Sequence, residues 1–324
     1  MASYLVTGAA GFIASQVCKL LLSQGHTVVG IDNLCPAYDV RLKEYRLKRL
    51  QAIKGFSFKL IDICDRPGLG SVLSSGAFDG VINLAARAGV RASLENPWIF
   101  VDTNMTGTLN LLELCRQNGI QKFILASTSS IYGENAPIPT PETASSDHPL
   151  QAYAASKKGA EVLCYAYHHL YGLDVTVFRY FTVYGPAGRP DMVMFRFAQW
   201  IKEGRPVHLN GDGNQSRGFT YVDDIAKGTV LGLKPVGYEI INLGGHEVIT
   251  INEMIKRLEN LLGEKAQIQY HPVQTADMAT NQADMNKAHH LLGWEPHVGL
   301  DEGMRELCKW YLGERIWANQ IITD

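Results

Sequence analysis

Through its first half the chain alternates short apolar runs with longer amphipathic stretches, and few folds accommodate that rhythm. Residues 4–6, 27–31, 56–61, 80–84 and 122–126 are short and almost continuously apolar. Runs of this length, rich in valine, isoleucine and phenylalanine, read as strands. Helix-spaced apolar residues lie between them, for example over 15–23 and 104–115. Strands without polar alternation are buried on both faces, which requires a parallel sheet with helices above and below. Residues 175–179 supply one more such strand. The expected class is α/β, with a doubly wound parallel sheet.

Past about residue 179 the pattern is more mixed. Gly185-Pro186, Gly188-Arg189-Pro190 and Gly211-Asp212-Gly213-Asn214 are turn punctuation, followed by a short strand at 240–243 and a helix at 251–262. The 324 residues suit two units. Residues 1–181 form the doubly wound part, and 182–324 a smaller mixed α/β part, with the chain crossing back near 220–245. Residues 34–45 read as a loop.

Composition narrows the function. A net charge of -2 gives no electrostatic pull toward nucleic acid or an anionic membrane. No apolar run approaches the roughly 18 residues of a membrane span. Met1-Ala2-Ser3-Tyr4 runs straight into a strand and leaves no room for a signal peptide, so the expected compartment is the cytoplasm. The six cysteines are irregularly spaced with no Cys-x-x-Cys, as reduced thiols would be. His168-His169 and His289-His290 are adjacent residues that point apart on a helix, so no metal site is expected.

The first strand leads into Thr7-Gly8-Ala9-Ala10-Gly11-Phe12-Ile13-Ala14, which opens a helix. That strand–turn–helix context is the Rossmann dinucleotide fingerprint. Gly8 permits the turn, and Gly11 admits a pyrophosphate to the start of the helix at Phe12 and Ile13. The third small residue is Ala14 rather than glycine. The second strand ends at Asp32, where a carboxylate accepts hydrogen bonds from an adenosine ribose and repels a 2′-phosphate. Asn33 and Leu34 follow, with no arginine, so NAD is favoured over NADP. Asp62-Ile63 follows the third strand, where adenine would lie; the alternative for Asp62 is a capping carboxylate.

Tyr153-Ala-Ala-Ser-Lys157 places a tyrosine and a lysine one helical turn apart on one face. The ammonium should favour the phenolate and lower the tyrosine pKa from about 10. A tyrosine tuned in that way exchanges a proton with a sugar hydroxyl near neutral pH. Alone the pair could be an exposed helical coincidence. Here it follows the hydroxyl cluster Ser127-Thr128-Ser129-Ser130, in a chain that also carries the nucleotide turn.

Together these segments resemble an extended short-chain dehydrogenase/reductase of the nucleotide-sugar epimerase group. Asn83-Leu84-Ala85-Ala86, Asn104-Met105-Thr106-Gly107-Thr108 and Arg217-Gly218-Phe219-Thr220-Tyr221-Val222-Asp223-Asp224 extend the likeness. Arg179 to Met192, with Ala88-Gly89-Val90-Arg91, is more similar to the UDP-glucuronate 4-epimerases than to the UDP-glucose enzymes. The resemblance implies that Tyr153 is the acid/base, Lys157 binds the nicotinamide ribose, and Thr128 hydrogen-bonds the reacting oxygen. It implies an NAD pocket lined by Leu84, Ala85, Ala86, Asn104, Tyr180 and Val183. It implies a UDP-sugar substrate facing Ser129, Ser130, Arg91 and Thr182, with Arg217, Gln215 and Arg196 near the diphosphate. A homodimer is expected on the same ground.

The sequence departs from that pattern in places. Asn83 stands where histidine is common, Arg87 where glutamine is common, and Gly218 where an aspartate is expected. The segment Thr275-Ala276-Asp277 lacks a second diphosphate arginine. Related decarboxylases and dehydratases place carboxylates in the serine-rich motif, and this chain has Ser129-Ser130. Arg189 could pair bidentately with a sugar carboxylate or be a surface turn residue. The expected reaction is inversion at C4 of UDP-glucuronate through a 4-keto intermediate. The alternatives are the same inversion on UDP-glucose, or a non-catalytic NAD sensor on the same fold.

Overall fold

The computed structural model describes residues 1–245, 247–272 and 280–323; the Thr275-Ala276-Asp277 segment lies outside them. Its strands in chain order are β1 (Ser3–Thr7), β2 (Thr27–Asp32), β3 (Phe56–Leu60), β4 (Gly80–Asn83), β5 (Lys122–Thr128), β6 (Asp174–Tyr180), β7 (Thr182–Tyr184), β8 (Pro206–Asn210), β9 (Ser216–Tyr221), β10 (Tyr238–Leu243), β11 (Glu247–Thr250) and β12 (Gln267–His271).

Seven strands make one parallel sheet in the order β10-β6-β5-β4-β1-β2-β3. Every residue of β4 and β5 is buried, as the unbroken apolar runs require. One face carries a core built on Val6, Val17, Ile124, Phe178 and Ile225. The other carries Leu5, Leu111, Phe123, Cys164 and Val177. Chain order reverses between β1 and β4, so the loops leaving these two strands flank a crevice at a topological switch point. β10 rejoins this sheet beside β6, after the chain has passed through β7 to β9.

The remaining strands form a three-stranded sheet, β11-β9-β7, and a parallel pair, β12-β8. A separate core of Trp200, Phe219, Met254, Leu258 and Leu307 sits here. The helix Ile251–Leu262 has the bounds its apolar spacing predicts. Thr250 and Glu253 cap its start reciprocally, and Gly263 at φ 70° ends it.

The sequence reading of residues 34–45 as a loop is only half right. The helix Val40–Gln51 begins inside that stretch. Asp39 caps it by accepting from the Arg41 amide at 3.1 Å, and Leu42, Leu47 and Leu50 bury one face. Its many charges hid that period.

Beneath the centre of the sheet lies a fully buried ion pair. Arg179 of β6 donates from Nη2 to Glu161 Oε2 at 2.8 Å and from Nε to Oε1 at 3.1 Å. Ser127 Oγ donates to the same carboxylate at 2.5 Å, and Arg179 Nη1 reaches the Tyr132 hydroxyl at 3.0 Å. The network joins β5, β6 and the helix Ala152–Tyr171. Glu161→Gln leaves Arg179 as an uncompensated buried charge. The expected loss is about 3–5 kcal/mol, read as a lowered urea midpoint with an unchanged slope.

Candidate active site

The glycine turn leaving β1 is pressed against the backbone leaving β4. Gly8 has φ 67°, and a Cβ on it would lie 2.8 Å from the Ala85 backbone. A Cβ on Gly11 would meet the Gly8 carbonyl at 2.8 Å. Neither position admits a side chain. The helix Phe12–Ser23 then starts from Gly11 with no side-chain cap and no acidic residue in its first turn. Its first amides and the positive end of its dipole suit a diphosphate. Phe12 and Ala14 are buried in the core and Ile13 packs against it, so the first two shape the turn from beneath. Ala14 is 2% exposed, and its methyl is accommodated there.

Asp32 is buried at the end of β2. Its Oδ2 accepts from the Ala10 amide at 3.2 Å and its Oδ1 from the Leu34 amide at 2.8 Å. Lys43 Nζ stands 3.5 Å from Oδ1. Asn33 Nδ2 donates to Asp62 Oδ2 at 2.6 Å, and Asp62 Oδ1 accepts from the Cys64 amide at 2.8 Å. Burial raises the Asp62 pKa, but these hydrogen bonds outweigh it and hold the carboxyl below its usual range. Asp62 is thus a turn-capping carboxylate that also joins Asn33, while Ile63 is buried in the core.

A chain of hydrogen bonds ties this turn to the Tyr153 helix. Thr7 Oγ1 donates to Asn83 Oδ1 at 2.7 Å and accepts from the Leu84 and Ala85 amides at 3.1 and 3.0 Å. Asn83 Nδ2 donates to Thr108 Oγ1 at 3.1 Å, which donates to the Asn104 carbonyl at 2.7 Å. Asn83 therefore accepts and donates at once, which explains how asparagine serves at this position. Asn104 lies in a π-helical turn, Asp102–Thr106. Its amide donates to the Arg87 carbonyl at 3.0 Å and to Ser156 Oγ at 2.9 Å, and accepts from the Arg87 amide at 2.9 Å. Ser156 Oγ in turn donates to the Tyr153 carbonyl at 2.8 Å. The side chain of Asn104 is committed to the backbone of the pocket wall.

Tyr153 opens the helix Ala152–Tyr171, and Lys157 lies one turn on with 2% of its surface exposed. Thr128, at the end of β5, hydrogen-bonds the Tyr153 phenol. Its Oγ1 also donates to Ser130 Oγ and accepts from the Ser130 amide, both at 3.2 Å. The three residues are assembled as the sequence implies, but the electrostatics differ. Burial pushes the Tyr153 pKa up; the Thr128 hydrogen bond and nearby Arg189 pull it back only in part. Lys157 is not among the groups acting on it. Burial instead pushes Lys157 down to about 8, against the opposing pull of Glu161 one turn further along. Among the described residues no side chain hydrogen-bonds the Lys157 ammonium, which lies one helical turn beyond Tyr153. A dinucleotide ribose presents the hydroxyls such a group needs, so the residues present suit NAD.

Arg189 is neither a free surface residue nor an open anion site. Its Nε and Nη2 grip the Asp191 carboxylate at 3.1 and 2.5 Å, and Nη2 lies 3.5 Å from the Ala88 carbonyl. It is close enough to Tyr153 for each to act on the other electrostatically. Ser129 is buried, and accepts from Asn281 Nδ2 at 3.3 Å. Asn281, missed in the sequence, also holds a buried Oδ1 with no hydrogen-bond partner among the described residues. Nothing in its spacing singles it out, because only the tertiary fold brings it to Ser129.

The other sequence candidates are spread over both lobes. Thr182 starts β7, half-buried, and Val183 and Tyr180 pack into the core, the Tyr180 hydroxyl 2.7 Å from Thr229 Oγ1. Arg91 is exposed at the start of the helix Ala92–Glu95. Arg196 stacks on Trp200 at 4.5 Å. Gln215 Nε2 donates to the Asn210 carbonyl at 2.8 Å, and Arg217 Nη1 to the Ser216 carbonyl at 2.7 Å. Gly218 has a packing reason: a Cβ there would stand 2.6 Å from the Gly245 backbone, and its amide donates to the Asn281 carbonyl at 2.7 Å. An aspartate would not fit.

The profile of the NAD dependent epimerase/dehydratase family matches residues 4–244. The chain is 55% identical to a UDP-glucuronate 4-epimerase of Thermodesulfobacterium geofontis over 311 residues, 96% of each protein. It resembles the crystal structure of UDP-glucuronic acid 4-epimerase from Bacillus cereus in complex with UDP-glucuronic acid and NAD. The TM-score is 0.91 at 36% identity, covering 96% of this chain and 99% of that one. A UDP-glucose 4-epimerase of Thermotoga maritima with UDP-glucose superposes with TM-score 0.89 at 33% identity, covering 97% and 99%.

The buried lysine gives this site a pH signature. Its folded pKa of about 8 lies below the ordinary 10.5, so the unfolded chain binds more protons between those values. Stability contributed by this group therefore rises as pH climbs through that window, by on the order of 3 kcal/mol. Lys157→Met should abolish the rise. The check is urea unfolding of both proteins from pH 7 to 10, comparing the difference between them.

Proposed function

Because the chain belongs to the NAD dependent epimerase/dehydratase family, we propose that it is an isomerase that inverts C4 of a UDP-sugar, interconverting UDP-glucuronate and UDP-galacturonate. One observation carries the choice of a uronate. Arg189, a side chain that binds carboxylates bidentately, lies close enough to Tyr153 to act on it, and a sugar carboxylate would take over the contacts it now makes to Asp191. No carboxylate stands in Thr128-Ser129-Ser130 to divert the reaction toward loss of CO2 or water.

In this reading Gly8, Gly11 and the helix start at Phe12 and Ile13 hold the NAD diphosphate. Asp32 accepts from the adenosine ribose, with Asn33, Asp62 and Ile63 beside the adenine. Leu84, Ala85, Ala86, Asn104, Tyr180 and Val183 wall the nicotinamide side, and Lys157 binds its ribose. Bound NAD supplies a hydride acceptor that is reduced and reoxidised within one turnover.

Tyr153 takes the proton from the C4 hydroxyl and returns it after the 4-keto sugar has turned over. Thr128 holds the reacting oxygen and the phenol in line. The raised pKa of Tyr153 makes the neutral phenol the resting form of the protein alone, so with ligands bound Tyr153 would give its own proton to solvent before accepting the one from the C4 hydroxyl. Ser129, Ser130, Thr182 and Arg189 hold the sugar carboxylate out of line with the C4 carbonyl π system, which suppresses decarboxylation. Arg91, Arg196, Gln215 and Arg217 receive the UDP moiety.

Exposed apolar residues lie on three helices: Trp98 and Val101 on Trp98–Val101, Leu109 on Gly107–Gln117, and Val162, Tyr165 and Leu170 on Ala152–Tyr171. They support a homodimer paired through those helices. All six cysteines are free, which suits a reducing cytoplasm. No described helix is long and apolar enough to cross a membrane.

Proton NMR of the purified protein, incubated separately with UDP-glucuronate and UDP-glucose, tests the reading. UDP-galacturonate alone is the expected product; UDP-galactose alone moves the assignment to the hexose, and a pentose product contradicts the carboxylate hold. Tyr153→Phe should retain both ligands and turn over at least about a hundredfold more slowly. Arg189→Ala should weaken UDP-glucuronate binding far more than UDP-glucose binding, as titration calorimetry would report.

A further inference from the structure

Arg46 is 4% exposed, and every nitrogen of its guanidinium is engaged. It projects from the helix Val40–Gln51, outside every motif the proposed reaction uses. Nη1 donates to the Ala10 carbonyl in the nucleotide turn at 3.1 Å and to the Tyr38 hydroxyl at 2.8 Å. Nε and Nη2 both donate to the Ala187 carbonyl, at 2.9 and 2.7 Å, and Nη2 reaches the Gly188 carbonyl at 3.0 Å. Three segments far apart in sequence thus meet on one cation.

The segment it holds is strained. Ala187 has φ 50°, a left-handed conformation that a residue with a Cβ adopts only when its surroundings impose it. Arg189 follows two residues later in the same segment. Tyr38, bound by Arg46, is also close enough to Arg189 to act on it electrostatically.

We infer that Arg46 is a positioning residue for Arg189, latching the Ala187–Gly188 turn to the nucleotide turn so that the Arg189 guanidinium stays close to Tyr153. The inference rests on the uronate reading above. The latch links the cofactor turn directly to recognition of the sugar's acid group. Without it, Ala187 relaxes toward negative φ and carries Arg189 away. The nucleotide end of the substrate, bound in the second lobe, is not affected.

The test uses Arg46→Lys, which keeps the buried charge but offers one nitrogen to partners that now share three. Titration calorimetry on the NAD-loaded protein would compare UDP-glucuronate with UDP. The expected result is a loss of about tenfold or more for UDP-glucuronate and less than about twofold for UDP, with KM rising more than kcat falls. Adding Ala187→Gly to that variant should restore much of the uronate affinity, since glycine adopts the left-handed turn without a Cβ penalty. Ala187→Val strains the same turn with Arg46 intact, and should reproduce the selective loss if Arg46→Lys does not fold. Equal losses for both ligands, or no rescue by glycine, would overturn the latch. A wild-type protein that binds UDP and UDP-glucuronate alike would instead overturn the uronate reading beneath it.

Discussion

The site depends on a line of hydrogen bonds through Thr7, Asn83, Thr108, Asn104 and Ser156 to the Tyr153 backbone. Each member is buried or nearly so, and each donor has an acceptor. A buried polar chain of this kind is costly if any link is missing, so it fixes one relative placement of its ends. Here the ends are the nucleotide turn and the acid/base tyrosine. The π-helical turn at Asn104 allows one residue to grip Arg87 on one side and Ser156 on the other.

Burial sets the electrostatics of that site more than pairing does. Removing Lys157 from water lowers its proton affinity, and removing Tyr153 from water raises the phenol's. Both shifts favour the neutral forms. The protein alone therefore holds a tyrosine that keeps its proton, and the charge needed to take it must arrive with ligands. That arrangement suits a proposed reaction in which the cofactor is never released between half-reactions, because the tyrosine is tuned only in the complete complex.

The fold was largely legible from residue pattern. Apolar runs at β1, β2, β4, β5 and β6 have no polar alternation, and a parallel sheet covered on both sides is the one common architecture that buries such runs. The helix at 251–262 was legible to the residue because its caps are local. The helix from Val40 was not, since its charged face dilutes the apolar period. The glycine turn, Asp32 and the one-turn spacing of Tyr153 and Lys157 were legible because they are local, whereas the part proposed for Thr128 came from the family likeness. Asn281 and Arg46 were invisible, because their partners lie far away in sequence.

The sequence by itself determined the sheet, the nucleotide turn and the candidates for the reacting side chains, since period, turn chemistry and one-turn helical spacing are short-range properties. Tertiary structure alone decided the direction of the Tyr153 and Lys157 shifts, the meeting of Asn281 with Ser129, and the need for glycine at 218. Solvent exclusion and backbone approach between distant segments set these, and neither quantity exists until the chain has packed.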